Sequence, residues 1–222
     1  MNRHEEIKTI IKKIMTPFTK QYGFTFYKPT LLIREYKDTI HIINFDLGTA
    51  GFTCDIAIQP LYIPSDTIDL SFGNRLSKFK AQLKERWPYE EIETSLAQVN
   101  ELLVSNAIPW FNEVGTPNGI VSFLEKWRPD DFSIIVGFPP ASRYLYLGFS
   151  YLYIGNNKLA DKALQTVFDR YKDDKRDWAI ELKQIISILR ELLKDRQEEI
   201  HLKLKEYIDN NCKNLRLKKE KI

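Results

Sequence analysis

Four side chains in this sequence could do chemistry together: Arg34, His41, Asp55 and Gln59. His41 titrates near neutrality and is the natural acid-base group, a carboxylate such as Asp55 would orient its ring, and Arg34 would hold an anionic ligand. The plainer reading of the same four residues is a cross-strand polar cluster on a covered sheet face. Metal is not expected there, because Arg34 beside His41 opposes a cation and no second ligand has suitable spacing. Asp46, Asp66 and Asp69 lie near turns, where Asp bonds its own backbone, and nothing in their spacing fixes a carboxylate pair. Gly48, Gly51 and Gly73 match neither the dinucleotide fingerprint nor the phosphate loop. Serine and cysteine nucleophile signatures are absent, and Cys54 reads as a small buried hydrophobe. No cofactor and no catalytic residue is implied.

The four polar residues belong to a stretch from Leu31 to Pro64, rich in Ile, Leu, Thr and aromatic residues and cut by turn signals, which reads as three successive strands. A tight turn at Tyr36-Lys37-Asp38-Thr39 sets Arg34 opposite His41, Ile33 opposite Ile42 and Leu32 opposite Ile43. If the next pairing, across Gly48 to Gly51, has an even offset, then Ile33, Ile40, Ile42, Ile56 and Ile58 form the core face with Leu31 and Cys54. The opposite face then carries Leu32, Ile43, Phe45 and Ala57 among Arg34, His41, Asp55 and Gln59. That face is too apolar to be plain solvent surface.

Helical patterns flank the meander. Ile7, Ile10, Ile11, Ile14, Met15 and Phe18 make one stripe of a helix over 4–22, which Pro17 should kink or end early and Gly23 should stop. Pro60 and Pro64 end the third strand, Leu70 to Phe72 offers a short fourth, and Gly73-Asn74 reads as a turn. Leu76, Phe79 and Leu83 have helical spacing. Pro88 opens a helix with Glu90, Glu91 and Glu93 in its first turns and Ile92, Leu96, Val99 and Leu103 on one face. Thr116-Pro117 caps another, burying Ile120, Phe123, Leu124 and Trp127. The polar run Pro129-Asp130-Asp131 marks the boundary between a 1–130 domain and a 131–222 region. After a short apolar run at Ile134 to Val136, four helices are expected, over 140–154, 158–171, 176–194 and 198–215.

The 222 residues, 43% apolar and 28% charged, are ordinary for a globular protein. No run approaches the roughly 20 apolar residues that span a bilayer, and the start lacks the apolar core of a secretory signal. Membrane partners are not expected, and a cytoplasmic location is. Cys54 and Cys212 are far apart, which argues against both a disulfide framework and a zinc cluster. A net charge of +3 and a pI near 8.6 fall short of a nucleic-acid footprint. The five basic residues between Lys213 and Lys221 read as a solvated helix end.

Tyr144, Tyr146, Phe149, Tyr151 and Tyr153 surround their helix, which is therefore either buried by neighbours or exposed to a partner; on the second reading Tyr144, Tyr146 and Tyr153 bind a protein. Tyr144-x-x-Leu147-Gly148-x-x-Tyr151, with Gly155 and Ala160-x-x-x-Leu164, resembles a tetratricopeptide repeat. One period later Trp178 fits, but Glu181, Leu182 and Ile185 do not. The Tyr22-Gly23-Phe24 exit, the Leu32 to Glu35 strand, His41-Ile42-Ile43-Asn44-Phe45 and Ile58-Gln59-Pro60-Leu61-Tyr62 resemble a bacterial group, domain-of-unknown-function family forty-three-oh-four, over roughly 7–127. That resemblance implies a mixed helix-and-sheet fold and no activity. The expected architecture is α+β, an antiparallel β-meander packed with helices and followed by an all-helical tetratricopeptide-like region. The expected role is a non-enzymatic adaptor for a protein partner. The alternative is a small enzyme or anion-binding domain built on the Arg34/His41 face.

Overall fold

The computed structural model describes residues 3–79, 86–127 and 140–217. They form an α+β protein with an antiparallel sheet in the N-terminal part and a helical C-terminal region. Two compact units result, one holding 3–59, 69–79 and 86–115, the other 60–68, 116–127 and 140–217. A single cut after 130 would therefore misplace two segments, 60–68 and 116–127, and the cut itself lies outside the described residues. So do the run Ile134 to Val136 and the position of Leu83.

In the sheet unit, α1 (Arg3–Tyr22) runs through Pro17 and stops at Gly23, whose φ of 73° suits only glycine well. The proline does not end the helix, because the apolar stripe on both sides of it, Ile7, Ile11, Met15 and Phe18, is buried. The strands are β1 (Thr25–Lys28), β2 (Leu31–Tyr36), β3 (Thr39–Leu47), β4 (Gly51–Pro60), β5 (Gly73–Arg75) and β6 (Trp87–Pro88). Their order is β1-β2-β3-β4-β5, with β6 also paired to β4. The expected register of β2 on β3 holds, with Arg34 opposite His41 and Ile33 opposite Ile42. Lys37 and Asp38, both at positive φ, form the mirror-image turn that matches strand twist.

Two local readings give way to tertiary structure. The fourth strand is Gly73–Arg75 instead of the stretch before it, and Gly73 is needed there because a Cβ would run into the Ile56 carbonyl. Pro88 lies in β6, and its expected helix, α2 (Ile92–Leu102), starts four residues later. A π-helical turn, Leu103–Ala107, links α2 to α3 (Ile108–Val114). Pro109, which lacks an amide and crowds the carbonyl four residues back, explains that widening.

In the helical unit, Thr116 Oγ1 accepts the Gly119 amide at 3.0 Å and caps α4 (Pro117–Lys126), as its sequence predicts. α5 (Pro140–Tyr153), α6 (Asn157–Tyr171), α7 (Asp177–Asp195) and α8 (Ile200–Asn214) follow within two residues of expectation. Gly148 lets α5 and α6 meet closely, since a Cβ there would sit 2.8 Å from Leu164 Cδ2.

Candidate functional site

Side chains alternate across a strand, so Arg34 and His41, directly opposed, share one face of the sheet with Leu32 and Ile43. Asp55 does not join them. Its Oδ2 accepts from Asn44 Nδ2 at 3.4 Å, and Asn44, three residues along β3 from His41, points to the other face. Gln59, four residues further along β4, lies on the Asp55 side. The reason is the hairpin between β3 and β4: the Gly48 amide bonds the Gly51 carbonyl at 2.9 Å, and that pairing sets even positions of β3 against odd positions of β4. The same parity divides the expected core. Ile33, Ile40 and Ile42 lie on the Asp55 face, whereas Cys54, Ile56 and Ile58 lie on the His41 face; all six are 5% exposed or less. Both faces are covered, so the apolar character of the polar-bearing face is accounted for by burial.

His41 is fully buried. Its ring stacks on Phe111 of α3, with centroids 4.8 Å apart and planes at 3°. Arg34 donates to His41 Nδ1 from Nε at 3.2 Å and from Nη2 at 2.9 Å, so Nδ1 keeps its lone pair and the ring proton sits on Nε2, which donates to the Gly115 carbonyl at 3.1 Å. Burial pushes the His41 pKa down to about 3, with the Gly115 carbonyl opposing and the Arg34 charge adding to the fall. At neutral pH the ring is thus an uncharged connector with both nitrogens occupied. Arg34 is similarly committed: Nη1 donates to the Tyr22 carbonyl at 3.1 Å, Nη2 to Asn112 Oδ1 at 3.3 Å, and the guanidinium lies 5.0 Å from the Phe24 ring centroid. Its pKa is lowered by burial. Together the pair ties the end of α1 and the end of α3 to β2 and β3, the work of a structural staple.

The remaining candidates also resolve into local roles. Burial raises the Asp55 pKa, against the Asn44 bond and the Arg75 charge that lower it. Gln59 Oε1 accepts the Asp69 amide at 2.9 Å and so closes the neck of the excursion 60–68. Asp69 accepts from the Ser71 amide and hydroxyl, and Asp66 accepts from Asn214 Nδ2 at 2.8 Å, so each of these two turn acids holds backbone or side-chain donors of its own. Cys54 is fully buried, with its thiol pKa pushed up by desolvation. Among the described residues no group of three or more His, Cys, Asp or Glu side chains could hold a metal ion, and no helix is long and apolar enough to cross a membrane.

The tyrosines of α5 are mostly covered. Tyr146 is 5% exposed and so does not face a partner; Tyr144 and Tyr153 are half-buried, and Tyr153 packs on Tyr62 with centroids 4.8 Å apart. Tyr151 donates to Glu125 Oε1 at 2.7 Å, and desolvation with that carboxylate lifts its pKa to about 12. Exposed large apolar side chains are most numerous on α7, where Trp178, Ile180 and Ile188 are 44%, 42% and 46% exposed; Leu202 of α8 is 65% exposed. Trp178 meets Tyr171 edge-on at 5.2 Å, and Arg176 Cζ lies 4.6 Å from its centroid. The buried stripe of α7 is Ala179, Ile186, Leu189, Leu192 and Leu193. Ile180 and Ile188 stand outside it, a surplus of apolar positions that was the available sequence signal. No family of known proteins, no curated protein and no solved structure matches this chain.

Proposed function

We propose that the chain is a cytoplasmic, non-enzymatic adaptor that binds a protein partner through its helical region. The observation that carries this reading is the exposed apolar surface of α7, with Ile180 and Ile188 opposite its buried stripe and Trp178 near its start, where it meets Tyr171 and Arg176. Tryptophan, tyrosine and arginine are the types that most often anchor protein interfaces. Leaving a tryptophan and two isoleucines in water is also costly without a use for them. The close approach of α5 and α6 at Gly148 supports the tetratricopeptide-like reading of this region, and the mixed helix-and-sheet unit supports the resemblance proposed for the N-terminal part. The enzymatic alternative loses its acid-base group, because His41 is neutral, enclosed and bonded through both nitrogens.

Capture from native lysate on immobilised wild type and on a Trp178→Ala/Ile188→Glu double variant tests the reading. Both changes fall on exposed positions, so the variant should keep the wild-type melting curve and lose a specific protein band. Identical capture by both proteins, with a small molecule co-purifying instead, would overturn the adaptor reading.

A further inference from the structure

The open side of α7 carries charge as well as apolar surface. Ile180, Gln184 and Ile188 recur at four-residue steps and form one exposed row opposite the buried stripe. Asp177 and Glu181 stand at the start of that row, Glu191 and Asp195 at its end, and all four are exposed. Among the described residues none of these four carboxylates has an ion-pair partner. Each end is a like-charged pair at i and i+4, which weakens a helix, and Asp195 is the last residue of α7, where the helix dipole favours a cation. Helix stability therefore does not account for the arrangement. The basic residues of α7 do not offset it either. Lys183 Nζ donates to the Lys172 and Asp174 carbonyls at 3.0 and 2.8 Å, and Arg190 is paired with Asp161 at 2.7 Å. Lys194 lies about 80° around the axis from Gln184.

We infer that this face docks a basic amphipathic helix of a partner protein, with apolar side chains over Ile180 and Ile188 and Lys or Arg opposite the acids at both ends. The inference rests on the adaptor reading of α7 and names the chemistry of its partner. Charge selects that chemistry: carboxylates at both ends of an apolar row attract a basic surface and repel the phosphates of nucleic acid and of anionic lipid. Backbone bonding selects the conformation. The amides and carbonyls of α7 are bonded within the helix, so an extended segment laid along it gains no ladder, whereas a helix arrives with its own backbone already paired. The 19 residues of α7 extend over about 28 Å, so a partner helix of about 18 residues reaches both acidic ends.

The test is fluorescence anisotropy on the full chain with two labelled alanine-based peptides of about 18 residues, long enough to be helical alone. Both carry a central row of leucines at four-residue steps; one has lysine pairs at its two ends, the other glutamate pairs. Wild type should bind the lysine peptide at least about tenfold more tightly at low salt, and the preference should shrink as salt is raised to about 1 M. Glu181→Lys/Glu191→Lys should reverse the preference. Where that variant fails to fold, Glu181→Gln/Glu191→Gln should cut it to about threefold or less. Equal binding of the two peptides by wild type, binding of neither, or a preference unmoved by the charge variants would overturn the inference. The adaptor reading fails separately, when Trp178→Ala/Ile188→Glu leaves the captured proteins unchanged.

Discussion

Replacing His41 with glutamine should remove a large part of the acid sensitivity of the sheet unit. In the folded chain the ring stays neutral down to about pH 3, whereas in the unfolded chain it protonates near its ordinary pKa of 6.5. The folded pKa is depressed, so between these values the unfolded state binds the extra proton, and stability falls as the pH drops. His41 contributes fully above about pH 6.5, and the whole effect, a shift of about 3.5 units at 1.36 kcal/mol each, approaches 5 kcal/mol by pH 3. At about pH 4.5 the expected loss is roughly 3 kcal/mol. Glutamine keeps a donor for the Gly115 carbonyl and an acceptor for Arg34 but has no proton to gain. Urea unfolding of both proteins at about pH 7.5 and 4.5 isolates the histidine, since carboxylate effects are common to the two. Wild type should lose about 3 kcal/mol more than the variant over that interval. Parallel losses would refute the assignment of His41 as a buried neutral connector.

Two further outcomes follow from close approach and from chain division. Gly115→Ala forces a Cβ into His41 Nε2 and the Phe111 carbonyl, and should cost about 2–4 kcal/mol. Gly155→Ala, at φ 79° with open space around it, should cost only about 1 kcal/mol of backbone strain; equal denaturant midpoints for the two variants would contradict the packing argument. A fragment of residues 131–222 lacks both α4 and the segment 60–68, and so strips the partners from Ser150, Tyr153 and Asn211. It should melt without a cooperative calorimetric transition, and a sharp transition would show that the helical unit is complete without them.

What the sequence revealed about the sheet was set by short-range geometry. The β2–β3 register followed from a two-residue turn, because such a turn leaves one pairing open to the strands it joins. The assignment of faces failed at the next hairpin, where the argument hung on whether an offset was even or odd and the Gly48–Gly51 bond made it odd. One unit of parity moved Asp55 and Gln59 away from His41 and dissolved the only constellation that looked catalytic. Gly73 and Pro88 misled for a related reason: each carries a strong local preference, for turn and for helix start, and each is held instead by pairing with β4. Nothing local marked Asn211, a lone amide on a helix whose two carbonyl partners lie 148 and 150 residues away.

His41 and Asn211 then have the same physical task in different units. Each is a buried polar side chain, and each spends its donors on main-chain carbonyls where a segment leaves regular structure, Gly115 after α3 in one case and Leu61 and Ile63 after β4 in the other. A carbonyl stranded there without a partner costs about 1–3 kcal/mol, which is reason enough for an imidazole or an amide at such a position. Residue type alone therefore cannot separate a site from a staple; the count of uncommitted donors and acceptors can. Arg34 and His41 have spent theirs within the fold. Trp178, Ile180 and Ile188, which have no hydrogen-bonding chemistry to spend beyond one indole N–H, leave apolar surface exposed on α7.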